Sequence, residues 1–304
     1  MIRRVSLLIL FGWMSFFAFA DITIMSYNVE NFFNPAVDSL NPDRDYTPSG
    51  LRHWSYARFH HKAEQIARVI ASVEENAFPE VVVLNEVEDS TCLALLCHKM
   101  PNYPYRFIHF DSHDNRGIDV AILYDSIRVS PISSIPVTVS LPNAVTRDIL
   151  YATLLVDKRD TLHVLACHLP SQLGGYSTSQ WKRETAKSIM RHLTDSILLG
   201  SPATHIVICG DINMPPKDDI LHLHNLMTMP AGTHKFEGTW TCLDQFYVSE
   251  SLLPVSCARI FDVDWLQEED RKYLSVRPKR TFNGFRYNKN GFSDHLPILL
   301  IIHF

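Results

Sequence analysis

The chain contains repeated short apolar runs, many of them β-branched, and each ends at a polar side chain. The clearest is His205-Ile-Val-Ile-Cys-Gly-Asp-Ile-Asn213, which leads through Gly210 to Asp211 and Asn213. A run of this kind is typical of a strand buried on both faces. Because residues two apart in extended chain point to the same side, a carboxylate and an amide are expected to emerge together at the edge of a sheet. An ordinary turn is the alternative, since Asp and Asn favour turns.

Similar patterns predict further elements along the chain. Strands are expected at Ile22–Asn28, Val81–Leu84, Tyr105–Phe110, Ile118–Tyr124, Arg147–Val156, Thr161–Cys167, Leu243–Val248 and Leu296–Ile302. Helical spacing predicts a helix after Ser55, a short helix that ends near Lys99, and a third that opens with a capping box at Ser177. The inner face of the third helix is expected to carry Trp181, Thr185, Ile189 and Leu193. Residues 34–53 and 262–292 are polar without a period and predict loops.

Residues 1–20 differ from the rest of the chain. Arg3 and Arg4 precede an apolar run, and Ala18-Phe19-Ala20 fits a signal-peptidase cleavage site before Asp21. The run is short for a bilayer span, so a signal peptide is favoured over an uncleaved membrane anchor, which is the alternative. We therefore predict export to the periplasm or the extracellular space. Residues 21–304 show no internal repeat or linker and are expected to form one domain.

Charge and composition limit the possible partners. The composition is that of a globular protein, with 46% hydrophobic and 20% charged residues. Without Arg3 and Arg4, 26 of the 28 basic residues remain against 33 acidic ones, so the formal charge changes from −5 to −7. An acidic protein is a poor partner for long nucleic acid, because affinity there comes largely from phosphate neutralisation. The sign of the charge does not exclude a small phosphate ester.

The cysteine pattern argues against a zinc–thiolate site. The six cysteines include no Cys-x-x-Cys motif. Cys167 and Cys209 lie in apolar strand-like runs, where free buried thiols are expected. An exported chain can form disulfides, and Cys242 with Cys257 is the pair that we suspect.

Polar residues stand at one predicted strand end after another. They are Asn28, Glu86, His168, Asp211, Asn213, Asp244, Asp294 and His295. A single polar strand end is unremarkable, but this series of carboxylates, amides and imidazoles suggests that one face of a sheet sandwich carries a site. Carboxylate and amide oxygens suit a hard cation such as Mg²⁺.

These motifs resemble the endonuclease/exonuclease/phosphatase superfamily. The matching stretches are Ser26-Tyr-Asn28, Leu84-Asn-Glu86, Cys167-His-Leu-Pro170, Gly210-Asp-Ile-Asn213, Leu243-Asp-Gln245 and Ser293-Asp-His-Leu-Pro297. They occur in the family's order and cover nearly the whole mature chain. The resemblance implies an α/β (α+β) fold like that of deoxyribonuclease I. This is a four-layered sandwich of two mixed, mostly antiparallel β-sheets flanked by helices.

The resemblance also implies a metal site and a group that activates water. Glu86, with Asn28 beside it and Asp294 close by, resembles the family's Mg²⁺ site, in which Mn²⁺ is a possible substitute. Asp211 would orient or deprotonate the attacking water. Asn213 would hold a phosphoryl oxygen.

The remaining candidates are residues that would contact the substrate phosphate or orient a residue that does. His295, held by Asp244, resembles the histidine that contacts the scissile phosphate. His168 resembles the histidine of the deoxyribonuclease-like branch, and Asp119 is our candidate for the acid that orients it. Arg116 is a candidate for binding substrate phosphate, with a solvated turn residue as the alternative.

The activity implied is hydrolysis of a phosphate ester by in-line attack of water. The ester could belong to a nucleic acid, a nucleotide, an inositol phosphate or a phospholipid head group, and the sequence does not distinguish a nuclease from a phosphatase. A monomer without an obligate protein partner is expected. The alternative from another class is an inactive exported binding protein that keeps the fold. That alternative predicts losses among the site residues, and none is lost.

Overall fold

The computed structural model describes residues 21–36, 44–73, 78–172, 174–216, 222–228 and 231–304. The predicted signal peptide at residues 1–20 lies outside this described part. Within it, no helix has both the length and the apolar character needed to cross a membrane.

The described chain is rich in strands and has few helices. The helices are α1 (Tyr56–Ala71), α2 (Ser90–His98) and α3 (Tyr176–Gly200), with short 3-10 helices at Arg44–Tyr46, Leu253–Val255 and Asp264–Leu266. The first nine strands are β1 (Ile22–Phe32), β2 (Val81–Val87), β3 (Tyr105–His109), β4 (Asp119–Asp125), β5 (Val129–Val137), β6 (Ile149–Val156), β7 (Asp160–His168), β8 (His205–Asp211) and β9 (His224–Asn225). The others are β10 (His234–Phe236), β11 (Thr239–Thr241), β12 (Asp244–Val248), β13 (Ser256–Ile260), β14 (Gln267–Asp270), β15 (Ser275–Pro278), β16 (Phe282–Asn283), β17 (Arg286–Tyr287) and β18 (Ile298–Ile302).

Two six-stranded sheets form the centre of the molecule. The first has the strand order β13-β18-β1-β2-β4-β3 and the second the order β5-β6-β7-β8-β12-β9. Each contains one parallel pair, β1 with β2 and β7 with β8, whereas the other neighbours are antiparallel. The predicted arrangement of two mixed, mostly antiparallel sheets is confirmed.

Helices cover the outer faces of the two sheets. Val83 of the first sheet and Val164 of the second belong to one buried cluster, which also includes Phe59 of α1 and Leu93 of α2. Met190 of α3 belongs to a second cluster with residues of β7 and β8. The order is therefore helix, sheet, sheet, helix. Removing these apolar surfaces from water is the main favourable term in folding.

The predicted cap of the first helix is confirmed, but the capping box predicted for the third is wrong. The Ser55 hydroxyl accepts a hydrogen bond from the Arg58 N–H and caps α1. In contrast, α3 begins at Tyr176 after Gly175, which offers no side-chain cap. Its buried positions are Ser179, Arg183, Ala186, Met190 and Thr194, so the inner face differs from the predicted one.

A buried arginine explains this shift. Arg183 is fully buried and donates hydrogen bonds to the carbonyls of Pro170 and Tyr176. These bonds turn a polar residue inwards, while Trp181 remains exposed. Apolar periodicity alone cannot predict such a face, because it assigns the arginine to solvent.

Three further expectations are corrected by the structure. The pattern missed the edge strand β5, which carries prolines and mostly exposed residues, as edge strands often do. Residues 262–292 contain the small hairpins β14–β15 and β16–β17 as well as loops. All six cysteines are free, so the suspected disulfide is absent: Cys242 is buried beside β12, whereas Cys257 is exposed on β13 of the other sheet.

Gly210 marks a close approach of the two parallel strands β7 and β8. Its φ is 137°, and a Cβ added to it would lie 1.8 Å from the carbonyl oxygen of Cys167. No side chain fits in this space. The glycine thereby allows the close strand contact that positions Asp211, the last residue of β8.

We expect Gly210→Ala to destabilise the protein by about 3 kcal/mol or more, because it combines backbone strain with a steric clash against backbone. Urea unfolding followed by circular dichroism measures the effect. Gly200→Ala is the matched control, since a Cβ there meets no atom within 4 Å. Equal unfolding midpoints for the two variants would contradict the prediction.

Candidate active site

The strand topology brings the predicted polar strand ends to one edge of the sandwich. The parallel pairs β1–β2 and β7–β8 finish at this edge. Strand β12 begins there, because Asp244 pairs with Asp211 in the antiparallel register, and the residues just before β18 arrive beside the end of β1. A cleft of about 1120 Å³ opens at this edge. Its lining includes Asn28, Glu86, Arg116, His168, Asp211, Asn213, Asp294 and His295.

Two bulges direct Glu86 into the cleft. The β1–β2 register shifts after Asn28, and the β2–β4 register shifts at Glu86. Glu86 has a φ of 67° and Asn31 a φ of 57°, both in the left-handed region. The Asn31 N–H donates to Glu86 Oε2 at 2.8 Å. Bulges and positive φ values in non-glycine residues are concentrated at functional sites, where they re-aim side chains.

Asp211 lies at the centre of the site. Its Oδ2 accepts a hydrogen bond from Asn28 Nδ2 at 3.1 Å, and its Oδ1 accepts one from the Asn213 N–H at 2.9 Å. The Nε2 atoms of His168 and His295 each lie 3.7 Å from Oδ2. Burial raises the pKa of Asp211 to about 7, although the attraction of His295 acts in the opposite direction. This carboxylate can therefore exchange a proton near neutral pH.

His295 is held as a charged imidazolium by its neighbours. Its Nδ1 lies 2.7 Å from Oδ2 of the fully buried Asp244, whose N–H donates to the Thr233 hydroxyl. Burial alone would lower the pKa of His295, but the charges of Asp244 and Asp211 raise it well above its usual value. The predicted contact between Asp244 and His295 is thus present. It leaves Nε2 facing the cleft.

The predicted metal ligands offer only oxygen atoms. Asn28 Oδ1 accepts the Glu30 N–H at 3.0 Å, and Glu86 Oε1 lies 3.6 Å from Arg116 Nη1. Burial opposes ionisation of Asp294, but His295 and other nearby cations hold its pKa below the usual value. A set of carboxylate and amide oxygens is the donor chemistry that suits Mg²⁺. The described residues also place His234, Asp294 and His295 close enough to share an ion.

Asp119 does not occupy the predicted position beside His168. Its carboxylate accepts hydrogen bonds from the backbone N–H and the hydroxyl of Ser112. The Nδ1 of His168 is buried and has no hydrogen-bond partner in the described part of the chain. Burial and the charges of Arg147 and Arg116 lower the pKa of His168, so its ring is neutral. The predicted contact is absent because both oxygens of Asp119 accept hydrogen bonds from Ser112 of the β3–β4 loop, although Asp119 itself pairs with Val87, next to Glu86.

Arg116 lies in the cleft, as the phosphate-binding hypothesis requires. Its guanidinium donates to Asn31 Oδ1 and approaches Glu86. About half of its side chain, 48%, remains exposed, so the group can contact a bound molecule. Its binding role stays a prediction.

Some site residues were missed in the sequence. His234 stacks on His295 with ring centroids 4.7 Å apart and pairs with it through a β-bridge. Arg147, nearly buried, lies 3.4 Å from Asp114 in the cleft wall. His234 follows no long apolar run, and Arg147, although it begins a predicted strand, was not recognised as a site residue. Asn85 did carry a signal, because it interrupts a buried strand directly before Glu86.

Two buried charged residues, Glu30 and Lys62, hydrogen-bond to the segment that leads to Asp294. Glu30 accepts the backbone N–H groups of Thr281 and Phe282, and Lys62 Nζ donates to the Thr281 hydroxyl and the Phe292 carbonyl. Burial raises the pKa of Glu30 to about 7 and lowers that of Lys62 to about 8. The Phe292 N–H also donates to the Lys279 carbonyl at 2.6 Å, which closes the neck of the 279–292 loop.

Comparisons with known proteins agree with this architecture. The profile of the Endonuclease/Exonuclease/phosphatase family matches residues 23–303, whereas no curated protein sequence matches. Truncated Caenorhabditis elegans TDP2 is 14% identical with a TM-score of 0.59, over 93% of this chain and 98% of that one. The human Nocturnin catalytic domain with bound sulfate is 16% identical with a TM-score of 0.55, over 92% and 93%. A Bacteroides thetaiotaomicron protein of the same family is 14% identical with a TM-score of 0.55, over 94% and 99%. Identities this low show a shared fold.

Proposed function

The chain belongs to the endonuclease/exonuclease/phosphatase family, and we propose that it is an exported, Mg²⁺-dependent enzyme that hydrolyses a phosphate ester by in-line attack of water. The arrangement around Asp211 carries the proposal. A buried carboxylate with a pKa near 7 lies between two amides and two imidazoles on the floor of an open cleft. Phosphoryl transfer requires a positioned nucleophile and groups that stabilise the phosphoryl charge, and this set offers both.

Glu86, Asn28 and Asp294 would hold the cation. When bound, Mg²⁺ supplies positive charge to the phosphoryl oxygens. Mn²⁺ is a possible substitute, because it prefers the same oxygen ligands.

The attacking water would be oriented and deprotonated by Asp211. The bond from Asn28 Nδ2 and the bond from the Asn213 N–H fix both oxygens of its carboxylate. The Asn213 side-chain amide donates one hydrogen to the Leu169 carbonyl at 2.9 Å, which leaves the second for a phosphoryl oxygen. A base is effective when its pKa lies near the working pH, and the raised pKa of Asp211 meets this condition.

The phosphoryl charge would be stabilised by His295. Since Asp244 occupies Nδ1, the ring presents a protonated Nε2 to the cleft. Arg116 adds a second positive group beside Glu86. The neutral ring of His168 completes the set at the end of β7.

The substrate classes compatible with the cleft are a nucleic acid, a nucleotide, an inositol phosphate and a phospholipid head group. The acidic character of the chain disfavours long duplex DNA. A phosphate-release screen over these classes, with plasmid cleavage for DNA, tests the proposal. Absence of hydrolysis in every class would support the inactive binding protein instead.

Activity should disappear with chelator and return with Mg²⁺ or Mn²⁺. Glu86→Gln should weaken the affinity for Mg²⁺ with little change in unfolding temperature, because it keeps the side-chain volume and removes one charge. Kinetic titration with Mg²⁺ measures both effects. Glu64→Gln, at an exposed carboxylate on α1, is the control that should behave like the wild type. Full activity after exhaustive chelation would refute metal dependence.

His295→Ala should lower kcat by about 10²–10⁴, which is the usual contribution of one acid–base group. Asp244→Asn should cost as much or less, and the double variant should be far from additive because the two side chains act together. Steady-state kinetics with a hydrolysed substrate measures this. A folded His295→Ala protein with nearly full activity would reduce the pair to a polar cap on the last strand.

The same pair predicts a pH dependence. If the imidazolium is the active form, the rate falls as the pH rises through the raised pKa of His295. Asp244→Asn removes an attraction that raises this pKa. Its alkaline loss of activity should therefore occur at lower pH than in the wild type, and pH–rate profiles of the two proteins compare these limits.

Export predicts a mature protein that begins at Asp21. Arg3, Arg4 and the apolar run that follows them motivate this hypothesis. N-terminal sequencing of the protein from periplasmic or secreted fractions tests it. Recovery of Met1 from a membrane fraction would support the anchor.

A further inference from the structure

A second group of metal-ligand side chains lies at the base of the loop between β3 and β4. His109 is the last residue of β3, Asp119 is the first of β4, and Asp111 lies between them. One potential ligand atom from each of the three residues lies within 4.8 Å of the other two. The described lining of the catalytic cleft includes none of the three. This group is therefore separate from the site that contains Asp211.

The imidazole of His109 is buried without hydrogen bonds. Its side chain is only 5% exposed, and its Nε2 has no partner in the described structure. Its Nδ1 lies 3.7 Å from Asp111 Oδ1, which is too long for a hydrogen bond. Buried polar groups usually have a partner, and an unpartnered one costs free energy. A cation shared with the two carboxylates would take Nδ1, the ring nitrogen that faces Asp111, as a ligand.

We propose that His109, Asp111 and Asp119 bind a divalent metal ion with the ligand preferences of Zn²⁺. One imidazole nitrogen and two carboxylate oxygens are ligands that Zn²⁺ accepts, whereas the oxygen-only set around Glu86 suits Mg²⁺. Two ligands at about 2.1 Å from a tetrahedral ion lie about 3.4 Å apart. The observed separation of 3.7 Å between Nδ1 and Oδ1 is close to this value.

Asp119 has the surroundings of a supported metal ligand. The N–H and hydroxyl of Ser112 each donate to one of its carboxylate oxygens. Each oxygen keeps a further lone pair for an ion. Ligating carboxylates are usually fixed by such hydrogen bonds.

An ion at this point would fix the base of the β3–β4 loop. The loop carries Arg116, which contacts Asn31 and Glu86 in the cleft, and Asp114, which pairs with Arg147. Joining the last residue of β3 to the first of β4 would restrict this loop at both ends. The proposed site is thus structural, and it would order one wall of the catalytic cleft.

Cobalt binding tests this proposal without measuring activity. Metal-free protein is saturated with Mg²⁺ and titrated with Co²⁺, whose visible absorption reports nitrogen and oxygen coordination. The wild type should bind one equivalent. His109→Ala and Asp111→Asn should each weaken binding by at least about tenfold, the cost seen even for residues that only support a ligand. His113→Ala is the matched control, because His113 is exposed on the same loop and outside the group. It should bind Co²⁺ like the wild type.

Three outcomes would overturn the proposal. The first is a wild type that binds no Co²⁺ in the presence of Mg²⁺, and the second is equal binding by Asp111→Asn and His113→Ala. The third is a signal that survives His109→Ala and disappears with Asp294→Asn, which would place the ion in the cleft. Asp111 is 87% exposed, so its variant remains informative even if His109→Ala does not fold. Because the readout uses no substrate, its failure leaves the proposed hydrolysis untouched.

Discussion

The buried side-chain amide of Asn85 joins the two sheets at the edge where the site lies. Its Nδ2 donates to the Cys167 carbonyl at 3.0 Å, and its Oδ1 accepts the Asp211 N–H at 3.2 Å. One residue of the first sheet thereby binds the ends of both parallel strands in the second. The catalytic geometry depends on this contact, because Glu86 follows Asn85 directly and Asp211 is one of the groups that it holds. Loss of the amide would leave buried backbone groups unpaired, at a cost of about 1–3 kcal/mol each.

The protonation states of the histidines in the site follow from their burial and from the charges beside them. A buried charge is tolerated only when it is paired. His295 has two carboxylates beside it and is charged, whereas burial and then the charges of Arg147 and Arg116 lower the pKa of His168, which is neutral. Burial lowers the pKa of His234 to about 4, so this ring is neutral although it stacks on His295. One of the three histidines in the cleft is thus charged and two are neutral, because only at His295 do the carboxylate charges outweigh the effect of burial.

The sequence predicted those parts of the fold that local chemistry determines. Apolar runs marked the central strands, and the polar residue at each run's end marked the site, because a strand buried on both faces can expose a functional group only where it stops. The inner face of α3 could not be predicted, because Arg183 is buried by carbonyls that only the fold brings together. The position of Asp119 failed for a related reason: its partner, Ser112, lies in a loop whose path has no periodic signal. His234 joins the site through a bridge to a residue 61 positions away.

The two ends of the 279–292 loop are joined by hydrogen bonds at its neck, so the part of the loop beyond the neck is separated from the site. Lys62 and the bond between Lys279 and Phe292 hold its two ends together before the chain reaches Asp294. Gly291 permits this closure, because a Cβ there would lie 2.1 Å from the Arg280 carbonyl oxygen. The exposed turn at Gly284 and Phe285, beyond the neck, can therefore change in length or sequence without moving His295. Evolution could reshape the outer surface near the cleft through such insertions while the reacting groups keep their positions.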